Sequence, residues 1–547
     1  MWRYSFSNQG GNKIMSKIIN DIVIVGGGSA GWMTASILIK DFPNKNIRLI
    51  ESPNIPTIGV GESTFDGINY YFEYLGIDKN DFIKFTDASI KLGLRFKNFY
   101  KKDDTSFLYP FGRPYLEETK WGMQDWLIKK YKDDSIPVTD FAQTYFPVAH
   151  LIENNTFCDN KDGQLPAFDP RINTALNFDA QKFALWLKEK YAKVRGVKNI
   201  LAEVIHVETD DDGIKYLLLD NGKKITADLY IDCTGFNSLL LGKSLNEEFI
   251  DYTNKLPNNS AWAVQIQYKD KNKEMLTVTT CTALKNGWVW HTPLYSRIGT
   301  GYVYSDKFTS DEDALKEFKE YLLSKDSTNK ISKKEINNLN FNNLKMRVGI
   351  HKRTWVKNVA AIGLSAGFIE PLESNGLFTV HEFLFNLVSV LKQEKITSWN
   401  IHNYNEVNKR IYDSFVDFII VHYCLSIRDD SEYWKSNSER VYSFDNIDKK
   451  KELSSNLFAL YEMKTRTHDT VGGTGYNLAM TCIATGMNYF ILDNVFSRIG
   501  EIVYNVDYSE TMKDYFTIYD YRKNEWEKIA KESPTMYEYL KERYYND

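Results

Sequence analysis

The chain has 547 residues, 43% of them hydrophobic and 26% charged, with 68 Lys and Arg against 72 Asp and Glu. These proportions exclude collagen-like, disordered and disulfide-scaffold classes, and a formal net charge of −4 leaves no electrostatic footprint for nucleic acid. Length alone allows two to four structural units of about 100–200 residues each, and an aromatic share of 14% suits either a large core or an aromatic-lined site.

Residues 1–20 read as a polar N-terminal extension with no apolar h-region, and Met15 is an alternative start. Residues 21–25, DIVIV, predict a buried parallel strand. Gly26-Gly27-Gly28-Ser29-Ala30-Gly31 follows at once, then WMTASILIKDF at helical length, then a second strand NIRLIE ending in Glu51. Strand, G-x-G-x-x-G, helix, strand and acid in this order predict a dinucleotide site. Gly26 permits the tight turn, Gly28 lets the backbone approach a pyrophosphate, and Gly31 allows close helix–strand packing. The helix N-terminus offers free N–H groups to the anion, and Glu51 can accept hydrogen bonds from a ribose.

Further along, residues 200–235 alternate around Asp212-Gly213 and Asn221-Gly222, both hairpin signals, and end in Asp232-Cys233-Thr234-Gly235. This stretch resembles the β-meander and D-x-x-G region of FAD-binding oxidoreductases. A third strand-like run, NVAAIG at 358–363, leads into a Gly/Ser-rich turn and a helix. No second G-x-G-x-x-G with a strand before it is visible, so the nucleotide expected is FAD, without a resident NAD(P)H.

Residues 287–305 read GWVWHTPLYSRIGTGYVYS, and 368–376 read FIEPLESNG. Trp288, Trp290 and Pro293 are similar to the W-x-W-x-I-P motif of flavin-dependent halogenases, with Thr292 where the family has Ile. Phe368, Pro371, Ser374 and Gly376 match that family's F-x-x-P-x-x-S-x-G pattern. GVGEST (59–64) and ASIKLGLRFKNF (88–99) resemble its early segments, and HYCLSIRDDSEYW (422–434) its later helical stretch. The resemblance runs from about Asp21 to Trp434, with the tryptophan halogenases closest.

The resemblance implies an FADH2-dependent halogenase. FADH2 would come from a separate flavin reductase and react with O2 to a flavin C4a-hydroperoxide. Halide would attack that species, and the resulting HOX would travel to a small electron-rich aromatic substrate, indole-like or phenolic. By the same resemblance Lys91 would receive the electrophile, as a haloamine or by hydrogen bonding to HOX. Glu373 would orient HOX or Lys91 and take the arene proton, with Ser374 beside it and Glu370 the competing carboxylate. Backbone N–H groups of Asn375 and Gly376 would bind halide. The family commonly has Thr where Asn375 stands, which suits a softer, more easily oxidised halide such as bromide or iodide. Trp288, Trp290 and Pro293 would keep substrate away from flavin. The implied FAD contacts are Gly26, Gly28, Ala30, Gly31, Glu51, Gly61, Val204, Asp232, Gly235, Leu364 and Leu377.

Other readings of single residues are structural. His291 is read as a structural polar residue, and His422 and Tyr423, on an apolar helical run, as satisfied core groups rather than ligands. No metal site is expected, because no CxxC or His/Cys spacing suggests zinc. The five cysteines are widely spaced and odd in number, which fits a reducing cytosol and a cytoplasmic protein. The longest apolar stretch, Ile22–Ile39, is broken by glycines and predicts no membrane span.

The fold class expected is α/β, with α+β elements: an FAD-binding flavoprotein-monooxygenase-like unit over 21–380 with an inserted sheet region. A mostly helical substrate-pocket region over 381–547 follows. Helices are predicted at 381–393, 405–425 and, lying on the surface, 514–532, with a loop then helix in 470–490. A homo-oligomer is compatible with the sequence. Two alternatives share the nucleotide unit: an FAD monooxygenase that hydroxylates an aromatic with no halide requirement, and a catalytically silent flavin-binding protein.

Overall fold

A computed structural model of the chain describes residues 19–54, 62–120, 133–438, 475–488 and 508–545, with a few positions between 123 and 130 and between 443 and 448. Residues 1–18 of the predicted extension at 1–20, Gly61, and the flanks of the 470–490 segment lie outside the described residues.

The first strand, Asp21–Val25, is apolar on both faces, and Ile22, Val23 and Ile24 are fully buried. That pattern belongs to a parallel sheet covered on both sides. The strand lies inside a six-stranded sheet between Leu229–Asp232 and Asn46–Glu51, with Lys198–Leu201 at one edge. On the other side come Val359–Ala361 and the short Trp355–Val356, whose antiparallel pairing ends the sheet. Helix Ser29–Asp41 returns across this sheet, buried continuously from Gly31 to Ile39.

The two hairpin signals form a three-stranded antiparallel meander of Val204–Asp210, Gly213–Leu219 and Lys224–Ile225. Gly222 turns the second hairpin at φ +78°, a conformation that favours glycine.

A second, seven-stranded sheet carries the inserted region. Its order is Asn342–Lys345, Ser260–Ile266, Ile298–Tyr304, Gly287–Pro293, Thr279–Ala283, Gly93–Lys97 and Ser106–Pro110. Its pairs are antiparallel except Thr279–Ala283 with Gly93–Lys97. Helix Asp311–Leu323 covers one face through Ala314, Phe318 and Leu322, which pack with Val264, Val289 and Ile298. A small sheet of Glu62–Ser63, Ala175–Phe178 and Ser89–Lys91 links the two larger ones, since the chain passes from Lys91 through Leu92 directly into Gly93–Lys97.

After residue 375 the described residues are largely helical: Gly376–Leu391, Ser398–Cys424, Glu432–Ser438, Gly475–Gly486 and Tyr508–Glu532. Thr397 and Asn400 close a reciprocal capping box at the start of the long helix. The last of these helices lies on the surface with one stripe inward: Met512, Tyr519, Arg522, Trp526 and Ala530 are buried. Tyr545 then stacks on Tyr295 at 3.4 Å and donates to the carbonyls of Ile83 and Ala88, fastening this segment beneath the Ser89–Lys91 strand.

All five cysteines are free. Among the described residues, no helix is long and apolar enough to cross a membrane.

Candidate active site

Several of the predicted FAD contacts lie at the carboxyl ends of the parallel strands. Asp21–Val25 runs into Gly26, Asn46–Glu51 ends in Glu51, Leu229–Asp232 runs into Gly235, and Val359–Ala361 runs into Leu364. Open parallel sheets bind ligands along this edge. Gly26 has φ +116°, and a β-carbon there would lie 2.2 Å from the Cys233 carbonyl oxygen. A β-carbon on Gly31 would lie 1.9 Å from the Gly26 carbonyl oxygen, so the helix approaches the turn this closely only because Gly31 has no side chain. Gly28 differs: a β-carbon there meets nothing within 4 Å. The helix that begins at Ser29 has no side-chain cap and no acid in its first turn. An open backbone face beside uncapped N–H groups fits a pyrophosphate.

Glu51 is partnered already. Its Oε1 lies 2.5 Å from Lys188 Nζ, and Oε2 accepts from Trp32 Nε1 at 3.3 Å. A carboxylate has further lone pairs for ribose hydroxyls, and Lys188 was not foreseen from sequence. Asp232 is fully buried and inward-facing. Oδ1 accepts from Thr234 N and Oγ1, and Oδ2 accepts from the N–H groups of Leu240 and Leu241. It therefore shapes the turn at Gly235 from behind, while the open side of that turn is backbone. Val204 opens the meander, Ala30 packs against Gly363, and Leu377 is buried in the first turn of Gly376–Leu391.

Lys91 ends the strand Ser89–Lys91 and is fully buried. Its Nζ donates to the Thr64 carbonyl at 2.9 Å and to Ser374 Oγ at 3.0 Å, and lies 5.2 Å from the centre of the Phe111 ring. Burial holds its ammonium down to about 7, against the pull of Glu373 and Asp66, which favour the charged form. Asp66, raised to about 6 chiefly by burial, is a neighbour that sequence reading did not single out.

Ser374 adopts φ +56°, while Asn375 is right-handed at φ −79°, ψ −10°. Successive residues of opposite hand can form an anion-binding nest, and here the Asn375 and Gly376 N–H groups would line it, since the Ser374 N–H already donates to the Pro371 carbonyl at 2.9 Å. The nest sits at the first turn of Gly376–Leu391, where the helix dipole adds to it. The Asn375 side chain folds away, donating to the Glu370 carbonyl at 3.2 Å, and a β-carbon on Gly376 would meet nothing within 4 Å. Ser374 Oγ continues a hydroxyl chain: it bonds Ser63 Oγ at 3.1 Å, which meets Thr279 Oγ1 at 2.8 Å.

The two competing carboxylates are told apart by their partners. Both Glu370 and Glu373 are buried. Glu370 is held on each oxygen, by the Tyr423 hydroxyl and by Asn258 Nδ2. Glu373 Oε1 lies in hydrogen-bond contact with His422 Nε2 at 2.7 Å, and its Oε2 is buried with no partner among the described residues. Burial and satisfaction were expected for His422 and Tyr423, but sequence periodicity carried no sign that they hold these two acids.

Trp288 and Trp290 share one face of Gly287–Pro293, with ring centres 6.5 Å apart and nearly edge-on. Trp288 is buried, and its Nε1 has no partner among the described residues. Trp290 lies flat across Gly301, its register partner, where a β-carbon would come within 2.1 Å of the indole. Thr292 is buried on the same strand, and the Pro293 carbonyl accepts from Ser89 Oγ at 2.5 Å, tying this strand to the one that carries Lys91. His291 points to the opposite face, where Nε2 meets Asn329 Oδ1 and burial lowers the imidazole to about 4, so it is neutral.

Comparison with known proteins is consistent with this geometry. The family model described as tryptophan halogenase matches residues 21–469. The 7-chloro-L-tryptophan 6-halogenase of a Kutzneria species is 33% identical over 437 residues, 77% of this chain and 82% of its own. The apo structure of VirX1 superposes with a TM-score of 0.85 at 35% identity, covering 96% of this chain and 100% of that one. BrvH, a flavin-dependent halogenase from Brevundimonas sp. BAL3, superposes at 0.80 with 27% identity, over 96% of this chain and 99% of its own.

Proposed function

The chain belongs to the tryptophan halogenase family, and from that premise we propose that it transfers an oxidised halide to an electron-rich aromatic ring held between Lys91 and Glu373. It is a flavin-dependent enzyme. The single observation that carries the reading is the pairing of Lys91 Nζ, 3.0 Å from Ser374 Oγ, with a neighbouring buried carboxylate that has one oxygen unengaged.

Bound and reduced, FAD would supply the two-electron reduction of O2 that turns halide into HOX; the diffusible FADH2 would come from a separate reductase. The turn at Gly26–Gly31 and Glu51 would hold its pyrophosphate and ribose. Asn375 and Gly376 would hold the halide on backbone N–H groups, so the choice of halide depends little on the Asn375 side chain.

Lys91 then receives HOX. With its ammonium brought down to about 7, the residue is divided between two forms at neutral pH, and each has a balanced route. The amine attacks halogen, the HOX oxygen leaves as water with one proton from solvent, and the N–X nitrogen keeps both of its protons; the arene then takes the halogen and returns the neutral amine. The ammonium gives one proton to HOX oxygen as the arene takes the halogen, so water leaves and Lys91 ends as the amine, which solvent reprotonates. In both routes the ring carbon loses one proton to Glu373 Oε2, and the C–H electron pair restores the aromatic ring. Trp288 and Trp290 supply the bulk that keeps the arene off the flavin. The Kutzneria relative named above is a halogenase of 7-chloro-L-tryptophan, and a free indole or a phenol is the substrate class proposed here.

The test supplies purified protein with FAD, NADH, a flavin reductase, O2 and separately chloride, bromide or iodide, and reads a panel of indoles and phenols by mass spectrometry. A halogen mass increase that requires enzyme and Lys91 supports the reading. A 16-dalton increase indifferent to halide would replace it with hydroxylation.

A further inference from the structure

His422 sits in the last turn of Ser398–Cys424, where its side chain is wholly buried against the rings of Phe96 and Phe418. Its Nδ1 lies 3.2 Å from the Phe418 carbonyl oxygen. A carbonyl can only accept, so Nδ1 carries a proton. Nε2 lies 2.7 Å from Glu373 Oε1. That contact needs one proton between nitrogen and oxygen, and two arrangements supply it: imidazolium with carboxylate, or neutral imidazole with carboxylic acid. Both are neutral overall, as burial of the pair demands.

From this we infer that His422 and Glu373 form one proton-accepting unit in which His422 is a positioning residue: it fixes Oε1, leaves Oε2 toward the reacting ring, and carries the positive charge once a proton has been taken. The inference rests on the halogenase reading for what delivers that proton. The balance is the same from either starting arrangement. The arene C–H bond breaks, its electron pair returns to the ring, and its proton goes to Oε2. If Glu373 began as carboxylate, it ends as acid beside an imidazolium. If it began as acid, Oε1 passes its proton to Nε2 as Oε2 takes the new one, and the end state is identical. The acid then returns one proton to solvent between turnovers.

The groups that face this unit are few. Lys91 acts on Glu373 from the lysine strand, Cys281 from the seven-stranded sheet and Cys482 from Gly475–Gly486, and burial pushes both thiols far above their usual range, so they stay neutral. Glu370, three residues before Glu373, is committed to Tyr423 and Asn258. His422 is therefore the direct hydrogen-bond partner of Glu373 among the described residues.

The experiment compares wild type with His422→Leu, His422→Gln and Glu373→Gln, each reconstituted with FAD. Halogenated product per flavin oxidised should fall more than 100-fold in His422→Leu. In His422→Gln, where an amide can still donate to Oε1 but cannot hold a proton, it should fall about 10- to 30-fold in kcat with little change in KM. FAD affinity should be unaltered in both. In parallel, 15N-histidine NMR, with the His422 signals assigned by their loss in His422→Gln, should show a proton shared at Nε2 in wild type and an unprotonated Nε2 in Glu373→Gln. Retention of product within twofold in His422→Leu, or an unchanged Nε2 signal in Glu373→Gln, would overturn the inference. If wild type halogenates none of the arenes, the halogenase reading fails, while the NMR comparison still decides whether the two residues share the proton.

Discussion

Lys91 Nζ lies 3.0 Å from Ser374 Oγ, although the two residues are 283 positions apart, and Ser374 makes the contact from a left-handed backbone. The left-handed residue does two things at once. It aims its hydroxyl at the lysine, and it turns the following N–H groups toward the helix start. Ser374→Ala removes the first effect and keeps the second. Product formation should fall about three- to tenfold, the value of one hydrogen bond to a charged or polar partner. The KM for halide should stay within about twofold, as read from initial rates against bromide. A large rise in halide KM would mean that the hydroxyl itself takes part in the anion site.

Two glycines of the nucleotide turn separate ligand binding from folding. A β-carbon on Gly31 collides with the Gly26 carbonyl, whereas one on Gly28 enters open space. Gly31→Ala should lower stability by about 2–3 kcal/mol, as overpacking at a rigid backbone contact does. Gly28→Val should fold with an unchanged melting temperature in the absence of cofactor. Its FAD dissociation constant, followed by flavin fluorescence, should rise at least tenfold. Tight FAD binding by Gly28→Val would place the pyrophosphate elsewhere.

What could be read ahead of the structure follows from how local the signal is. The G-x-G-x-x-G turn, the flanking apolar strands and the Asn221-Gly222 hairpin are each decided within a few residues, and they formed where expected. Lys91, Glu373 and Ser374 were visible only as separate motif positions. Their convergence depends on the parallel pairing of Gly93–Lys97 with Thr279–Ala283 across a long insertion, which no local period encodes. His422 shows the same limit: the apolar spacing of its helix marks it as buried, but burial does not name a partner on another element. Asp66 and Lys188 carried no motif, and only the packing brings them beside Lys91 and Glu51.

Glu51 provides a test of the ribose contact. Lys188 and Trp32 already hold its two oxygens, so the carboxylate is fixed before any nucleotide arrives. Glu51→Gln keeps the shape and removes the charge. FAD affinity should weaken about ten- to a hundredfold, the range for a charge-assisted hydrogen bond, measured by equilibrium dialysis of the apoprotein. Lys188→Met should weaken it less, because Trp32 still orients one oxygen. An unchanged affinity in Glu51→Gln would remove this residue from the cofactor site.

Lys91 links stability to pH with a sign opposite to that of a salt-bridged lysine. Its ammonium is depressed from 10.5 to about 7 in the folded chain, mainly by burial. Below pH 7 both folded and unfolded states are protonated, and the full desolvation cost opposes folding. Between pH 7 and 10.5 the unfolded chain binds the extra proton, so stability rises with pH and the cost is gone above the unfolded value. The shift corresponds to a cost on the order of 5 kcal/mol, at about 1.4 kcal/mol per pKa unit. Lys91→Met, similar in volume and uncharged, should therefore be more stable than wild type at pH 6.5, and the gap should narrow steadily toward pH 9.5 in denaturant titrations. The same variant should lose halogenation by more than about 100-fold while flavin is still reoxidised. The activity of wild type carries the complementary information. If Lys91 works as an amine, kcat should rise as pH passes 7; if it works as an ammonium donor, kcat should fall over the same interval. Asp66, titrating near 6, bounds that window from below. A Lys91→Met protein less stable than wild type at every pH would show that the lysine is held by compensating charge rather than desolvated.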